Sequence, residues 1–257
     1  MSKGHAVLGR LVGWSPWLML GLLLALAALG GAIQLVPSLE HLYLNQDLGA
    51  TFQPPLSDGH LLGTDNLGRD LLWRVLAGLS VSIAVSFAVA VVSILLGLAL
   101  GIVAGFFGRA ADAATTVIVD VTWAFPALLL AVVLAGSMGV GLVTVVLALA
   151  LTGWASFARI IRAEVLTLRE RDYVHAATVL GVSRLRISVR HLLPNLLPVT
   201  IVMSTFFVST SVAAEAGLSF LGLGAQPPTP SLGVILADGR NYLSVSPWPV
   251  VTAGLAL

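Results

Sequence analysis

The chain has 257 residues, 58% of them hydrophobic and 10% charged, with a net charge of +1 and a mean hydropathy of +0.99. A water-soluble domain carries roughly 25% charged residues, so this composition excludes one that covers itself in water and makes lipid the solvent for much of it. Cysteine is absent, which excludes disulfides and thiolate metal sites, and no metal centre, catalytic residue or nucleic-acid partner is expected.

A helix crosses a bilayer with about 20 mostly apolar residues. Runs of that kind cover 17–36, 80–107, 117–135, 140–157 and 196–214. A sixth begins near Pro247 and stops at Leu257; about ten residues at 1.5 Å rise are too short to cross, so this helix is expected to be cut. The expectation is an all-α polytopic bundle of six spans, the last one truncated. The first run, preceded by Lys3 and Arg10, reads as an anchor rather than a cleaved signal.

Between the first two runs, 60–74 reads as an amphipathic surface helix, with Leu67, Leu71 and Leu72 together and Asp65, Arg69 and Asp70 facing water. Gly97, Gly101 and Gly105 form one ridge in the second run, a spacing that lets helices approach closely. Pro126 comes early in the third run and is expected to kink or start its helix.

Loop charges orient the bundle. Lys3, Arg10 and Arg109 fall on one side with Arg159, Arg162, Arg169, Arg171, Arg184, Arg186 and Arg190. The other side holds only Arg69, Arg74 and Arg240, with Glu40, Asp47, Asp58, Asp65 and Asp70. The positive-inside rule therefore places the N-terminus and the segment 173–195 in the cytoplasm.

Within the runs the ionisable residues are Asp120, near the cytoplasmic start of the third, and Glu215, near the outer end of the fifth. An ion-coupled carrier or channel usually keeps a carboxylate near the midplane, so that class is weakened. A phosphate-cradling loop needs G-x-x-x-x-G-K-[ST], and the only lysine is Lys3. If ATP drives the protein, a separate subunit hydrolyses it. A structural anchor for a cytoplasmic enzyme is a third class.

The stretch "YVHAATVLGVSRLRISVRHLLPN" is the longest polar segment. Asp172 can cap a helix starting at Tyr173, and Gly181 can end it. Tyr173, Ala176, Ala177 and Leu180 make one apolar stripe. Ser183 can cap a second short helix, in which Leu185, Val189 and Leu192 share one face and Arg186 and Arg190 another. Pro194 and Pro198 are expected to break the path into the fifth run. An interfacial hairpin on anionic lipid and a handle fitting a groove on another protein both suit this pattern.

The same residues resemble the EAA loop of bacterial ABC-importer permeases: Ala176, Ala177, Gly181, Leu193 and Pro194 match, while His175 stands in the glutamate's place. "HLLGTDNLGRDLLWRVLAG", with Gly63, Thr64, Asp65, Gly68, Arg69 and Asp70, is similar to an outer signature of the dipeptide/oligopeptide/nickel permeases, C-type subunit. So is "AGLSFLGLGAQPPTPSLGVILADGRNYL", with Gly217, Ser219, Phe220, Gly222, Pro227 and Pro228 as candidates for an outer gate or loop.

The resemblance implies a type I ABC-importer permease fold in the bacterial cytoplasmic membrane, carrying peptides or a related solute such as nickel. It implies a homologous second permease, two cytosolic ATPases that hold ATP and Mg, and an extracytoplasmic solute-binding protein. Residues 1–78 would form the anchor span and outer loop, and 79–257 the permease core, with its coupling loop at about 159–195.

Overall fold

The computed structural model describes residues 21, 25–57 and 59–257. Lys3, Arg10, the start of the first run and Asp58 lie outside the described residues. Among these residues the chain is helical without a strand, the only bridges being the isolated pairs Ser57–His60 and Thr64–Asp70. In chain order come α1 (Ala25–Leu35), α2 (His41–Leu44), α3 (Leu71–Phe106), α4 (Arg109–Ala124), α5 (Ala127–Met138), α6 (Leu142–Arg169), α7 (Asp172–Val179), α8 (Arg184–Ile187), α9 (Leu193–Phe220), α10 (Leu232–Arg240) and α11 (Trp248–Ala256).

Among the described residues three helical stretches are long and apolar enough to cross a bilayer: Leu71–Phe106, Leu142–Arg169 and the continuous Arg184–Phe220. A fourth crossing exists if α4 and α5 are taken as one span, bent by 83°. The expected count of six spans is not confirmed among the described residues, which leave out 17–20 and 22–24 of the first run. The third run is two helices because Pro126 has no N–H to continue the ladder and pushes Phe125 into extended backbone. The fourth run continues past Phe157 to Arg169, so Arg159 and Arg162 are helix residues rather than loop residues.

The prolines of the fifth run do not break it. A single π-helical turn, Ser188–Leu192, shifts the ladder so that the Leu193 N–H bonds the Ser188 carbonyl just before Pro194. The Asn195 side chain donates to the His191 carbonyl at 2.6 Å. The π-helical turn and this side-chain bond keep the stretch continuous with α9.

The residues fall into two compact units. The first combines the chain up to Ile83 with Gln226–Leu257. Its core joins Leu71, Val75 and Leu79 of α3 to Leu232, Ile235 and Ala253. Gln34 of α1 ties itself to α3 through the Ala77 carbonyl at 2.8 Å and the Ser80 hydroxyl at 2.6 Å.

The second unit, Ala84–Ala225, is organised on α6. The glycine ridge of α3 lies against it. A Cβ on Gly101 would stand 2.7 Å from the Ile161 Cβ and 2.9 Å from the Ala158 carbonyl oxygen. One on Gly105 would stand 2.6 Å from Val165 Cγ1, and one on Gly97 would run into Phe157. The ridge is thus a close helix–helix contact within the bundle. Overpacking a tight core costs about 1–3 kcal/mol, so Gly101→Ala should lower the unfolding free energy in detergent by that amount and the unfolding midpoint with it. Gly136→Ala, on α5 with nothing within 4 Å, should leave the midpoint unchanged or raise it.

Candidate functional site: the α7–α8 hairpin and its companions

The segment between α6 and α9 folds as helix, turn, helix. Arg171, not Asp172, is the N-cap of α7, and no side chain bonds to the first turn; Asp172 lies inside that turn, where its charge suits the helix dipole. The C-terminus is a Schellman motif: Gly181 N–H bonds the Thr178 carbonyl at 3.0 Å and Val182 N–H the Ala177 carbonyl at 3.1 Å. Gly181 has φ +75°, a conformation that costs a residue with a Cβ about 1–2 kcal/mol. Ser183 is the N-cap of α8, without a side-chain bond.

The hairpin core differs from the stripe read in the sequence. Val174 and Ala177, rather than Tyr173, Ala176 and Leu180, point inward, where they join Ile161, Val165 and Leu168 of α6 with Ile187, Leu192 and Leu196. On the second helix Leu192 is inside, while Leu185 and Val189 are outside. The register is set by the turn: with Gly181 closing a Schellman motif, Ala177 must meet Val182. Ala177 is therefore small because it is buried in the hairpin's own core.

An apolar patch remains outside. Val179 and Leu180 are 87% and 81% exposed, and Leu185, Val189, Tyr173 and Ala176 are exposed with them. Arg186 and Arg190 are exposed beside this patch. Arg184 instead donates to the Phe107 carbonyl at 3.1 Å and Arg169 to the Gly105 carbonyl at 3.4 Å, so two cations cap the C-terminal end of α3. His175 is exposed, with Nε2 3.8 Å from Glu170 Oε2. Leu193 and Pro194 open α9.

The outer motif is not a surface helix. Residues 63–70 form a folded turn, and α3 starts only at Leu71. Asp65 is buried because its Oδ1 accepts the N–H groups of Leu67 and Arg69, while Oδ2 accepts from Arg69 Nε at 2.7 Å and faces Arg74 Nε at 3.2 Å. Arg74, 3% exposed, also lies 3.9 Å from Asp238. Burial raises the Asp238 carboxyl above its ordinary range, and Arg74 and Arg69 partly offset this. Asp70 Oδ1 accepts the N–H groups of Leu72 and Trp73, and Oδ2 meets His60 Nδ1 at 2.7 Å. Side-chain bonds to local N–H groups stabilise the turn against the helix that apolar spacing suggested. Thr64 is buried, bonding the Ala50 carbonyl, and Gly68 fits against the Asp47 backbone.

Of the candidates after the fifth run, Gly217, Ser219 and Phe220 close α9, and Gly222 ends it with φ +82°. Ser219 donates to Glu215 Oε1 at 2.6 Å and accepts from the Ala225 N–H at 3.3 Å, both groups buried. Pro227 and Pro228 are exposed and belong to the first unit, whereas Gly217–Gly222 belong to the second.

The loop-charge reading missed one cluster. Arg162 of α6 makes a bidentate pair with Asp112 of α4, through Nε–Oδ1 and through Nη2–Oδ2 at 2.7 Å. Further along, Arg159 Nη2 donates to Asp120 Oδ1 at 3.1 Å and lies 4.0 Å over the Trp123 ring. An arginine counted as a loop charge gives no signal of a partner 39 residues away.

Residues 97–257 match the family described as binding-protein-dependent transport system inner membrane component. The chain is 42% identical over 206 residues to a protein of Brucella suis biovar 1 named as a peptide transport system permease, covering 80% of this chain and 69% of that one. It is 38% identical over 198 residues to the nickel transport system permease protein of Escherichia coli K12, covering 77% and 72%. With the oligopeptide transport system permease protein of Bacillus subtilis it shares 36% identity over 196 residues, covering 76% and 64%. An inward-facing structure of the MetNI methionine ABC transporter superposes with a TM-score of 0.60 at 19% identity, covering 72% of this chain and 88% of that one, and so shares the fold. The ion-coupled carrier is not favoured by any of these likenesses. This chain belongs to the family of binding-protein-dependent transport system inner membrane components, the multi-pass permeases of ABC importers.

Proposed function

We propose that the chain is one permease subunit of an ATP-driven importer carrying short peptides, or a related small solute, across the bacterial cytoplasmic membrane. Its N-terminus and the α7–α8 hairpin face the cytoplasm. A homologous permease completes the pathway, an extracytoplasmic binding protein delivers solute, and two ATPases hold ATP and Mg. The peptide and nickel permeases among the relatives, by their names, set this substrate range.

One observation carries the reading. The hairpin is fixed from within by the core it shares with α6 and shows an arginine-bordered apolar patch outward. A patch of that kind marks a protein contact when rimmed by polar groups. ATPase closure would move a docked hairpin with α6 and α9 as a rigid body and open the pathway outward; hydrolysis would reverse the movement. With His175 in place of the EAA loop's glutamate, the proposed contact rests on shape and on the charge of Arg186 and Arg190 rather than on a carboxylate at that position.

Leu180→Glu puts a charge in the proposed interface without touching the hairpin core. The expected result is assembly in the membrane with binding-protein-stimulated ATP hydrolysis and uptake reduced at least tenfold, a loss of about 1.4 kcal/mol or more. Wild-type uptake by that variant overturns the docking model. Gly181→Ala tests the scaffold: at about 1–2 kcal/mol of strain, amide exchange at positions 181 and 182 should speed roughly 5- to 30-fold, and Gly181→Asn, which reaches the left-handed region, should show less.

A further inference from the structure

We propose that Arg184 and Arg169 are positioning residues that fasten the C-terminal end of α3 to the hairpin, so that the ATPase stroke moves α3 directly, together with α6 and α9. The inference rests on the docking reading above and adds a third moving helix to it.

The chain itself joins the hairpin only to α6, through Glu170 and Arg171, and to α9, through the turn Ser188–Leu192. The end of α3 comes to it from far back in the sequence. Arg184 Nη1 donates to the Phe107 carbonyl at 3.1 Å across 77 residues, and Arg169 Nη1 to the Gly105 carbonyl at 3.4 Å across 64. Arg169 closes α6 and Arg184 opens α8, so the two guanidinium groups flank α7 in the chain. Arg169 Nε also donates to Glu170 at 2.9 Å, which orients its guanidinium. Apolar packing backs these bonds. Leu98, Ile102 and Phe106 of α3 lie against the core built from Val174, Ala177, Ile187 and Leu192. A Cβ on Gly105 would stand 2.6 Å from Val165 Cγ1, so the approach to α6 is close at this end as well.

The two kinds of contact do different work. Dispersion between apolar side chains resists separation but has little direction, so it allows a helix to slide or turn. A hydrogen bond to a carbonyl fixes distance and angle. The last carbonyls of a helix have no partner within it and favour cations. Water could satisfy the same carbonyls, because Arg184 and Arg169 are exposed, so their net worth to folding is small. What they add is a fixed position for the end of α3. That end is also a junction: Gly108, at φ +110°, leads straight into α4, whose first-turn Asp112 is paired with Arg162 of α6.

The test uses the assembled importer, with its ATPases and binding protein, in proteoliposomes, and radiolabelled Ala-Ala as the probe solute. Arg184→Met with Arg169→Met should leave assembly and binding-protein-stimulated ATP hydrolysis near the unmodified level, while Ala-Ala imported per ATP falls about fivefold, the scale of one hydrogen bond. Arg184→Met alone should lower the ratio less, and Arg184→Lys, which keeps a cationic donor, should recover most of that loss. An unchanged ratio in the double variant, or uptake and hydrolysis falling in parallel, overturns the proposal. A second readout leaves both arginines in place. The chain has no cysteine, so Ala110→Cys, just past the end of α3, and Thr178→Cys on α7 can carry a spin-label pair at exposed positions, with cysteine-free partner subunits. The label separation should be the same in the nucleotide-free and vanadate-trapped complex, and should differ between those states once both arginines are Met. A separation that already changes with the arginines present, or that stays fixed without them, overturns the proposal. Failure of the docking reading is distinguishable, because Leu180→Glu would then take up Ala-Ala like the unmodified complex.

Discussion

The contact on which the second unit depends is the glycine seam between α3 and α6. Lipid supplies no hydrophobic drive between apolar helices, so close backbone approach and dispersion must hold them. Gly97, Gly101 and Gly105 remove the side chains that would keep α3 away, and Phe157, Ile161 and Val165 fill the space. The hairpin and the arginine pairs of that unit are both attached to α6. The same Ile161 and Val165, with Leu168, seat the hairpin. Arg159 and Arg162 on another face of α6 reach α4. A helix held this closely can pass a displacement at one end to charges about 15 Å further in, at 1.5 Å per residue.

The hairpin shows how few interactions are needed to present a surface. Two Schellman bonds, one left-handed glycine and a core of small and branched residues fix the angle between α7 and α8. Arg184 and Arg169 spend their charge on the carbonyls at the end of α3. That leaves Arg186 and Arg190 to border the exposed apolar patch. Division of labour among similar arginines is a matter of reach, and nothing in their spacing announces it.

On the other unit, Asp65 shows how buried charge is kept. Its two oxygens face two backbone N–H groups and two guanidinium groups. A carboxylate without such partners would be costly to bury. The turn that results delays α3 to Leu71, with Asp70 at its first N–H groups.

Sequence by itself determined the class of protein. A charge content too low for water, apolar runs of crossing length and the motif order from His60 onward named an all-α permease, and Gly181 placed the turn. These are local properties, set by composition, periodicity and the one residue that takes a positive φ without strain. Tertiary structure decided which face of each helix is covered. Tyr173, Ala176 and Leu180 looked as apolar as Val174 and Ala177, and only packing on α6 separated them. The partners of Arg159 and Arg162 lie 39 and 50 residues away in the chain, and Asp65 turned inward to Arg69 beside it and to Arg74 at the start of α3. Periodicity reports that a face exists; what covers it depends on contacts between distant segments, which no local pattern encodes.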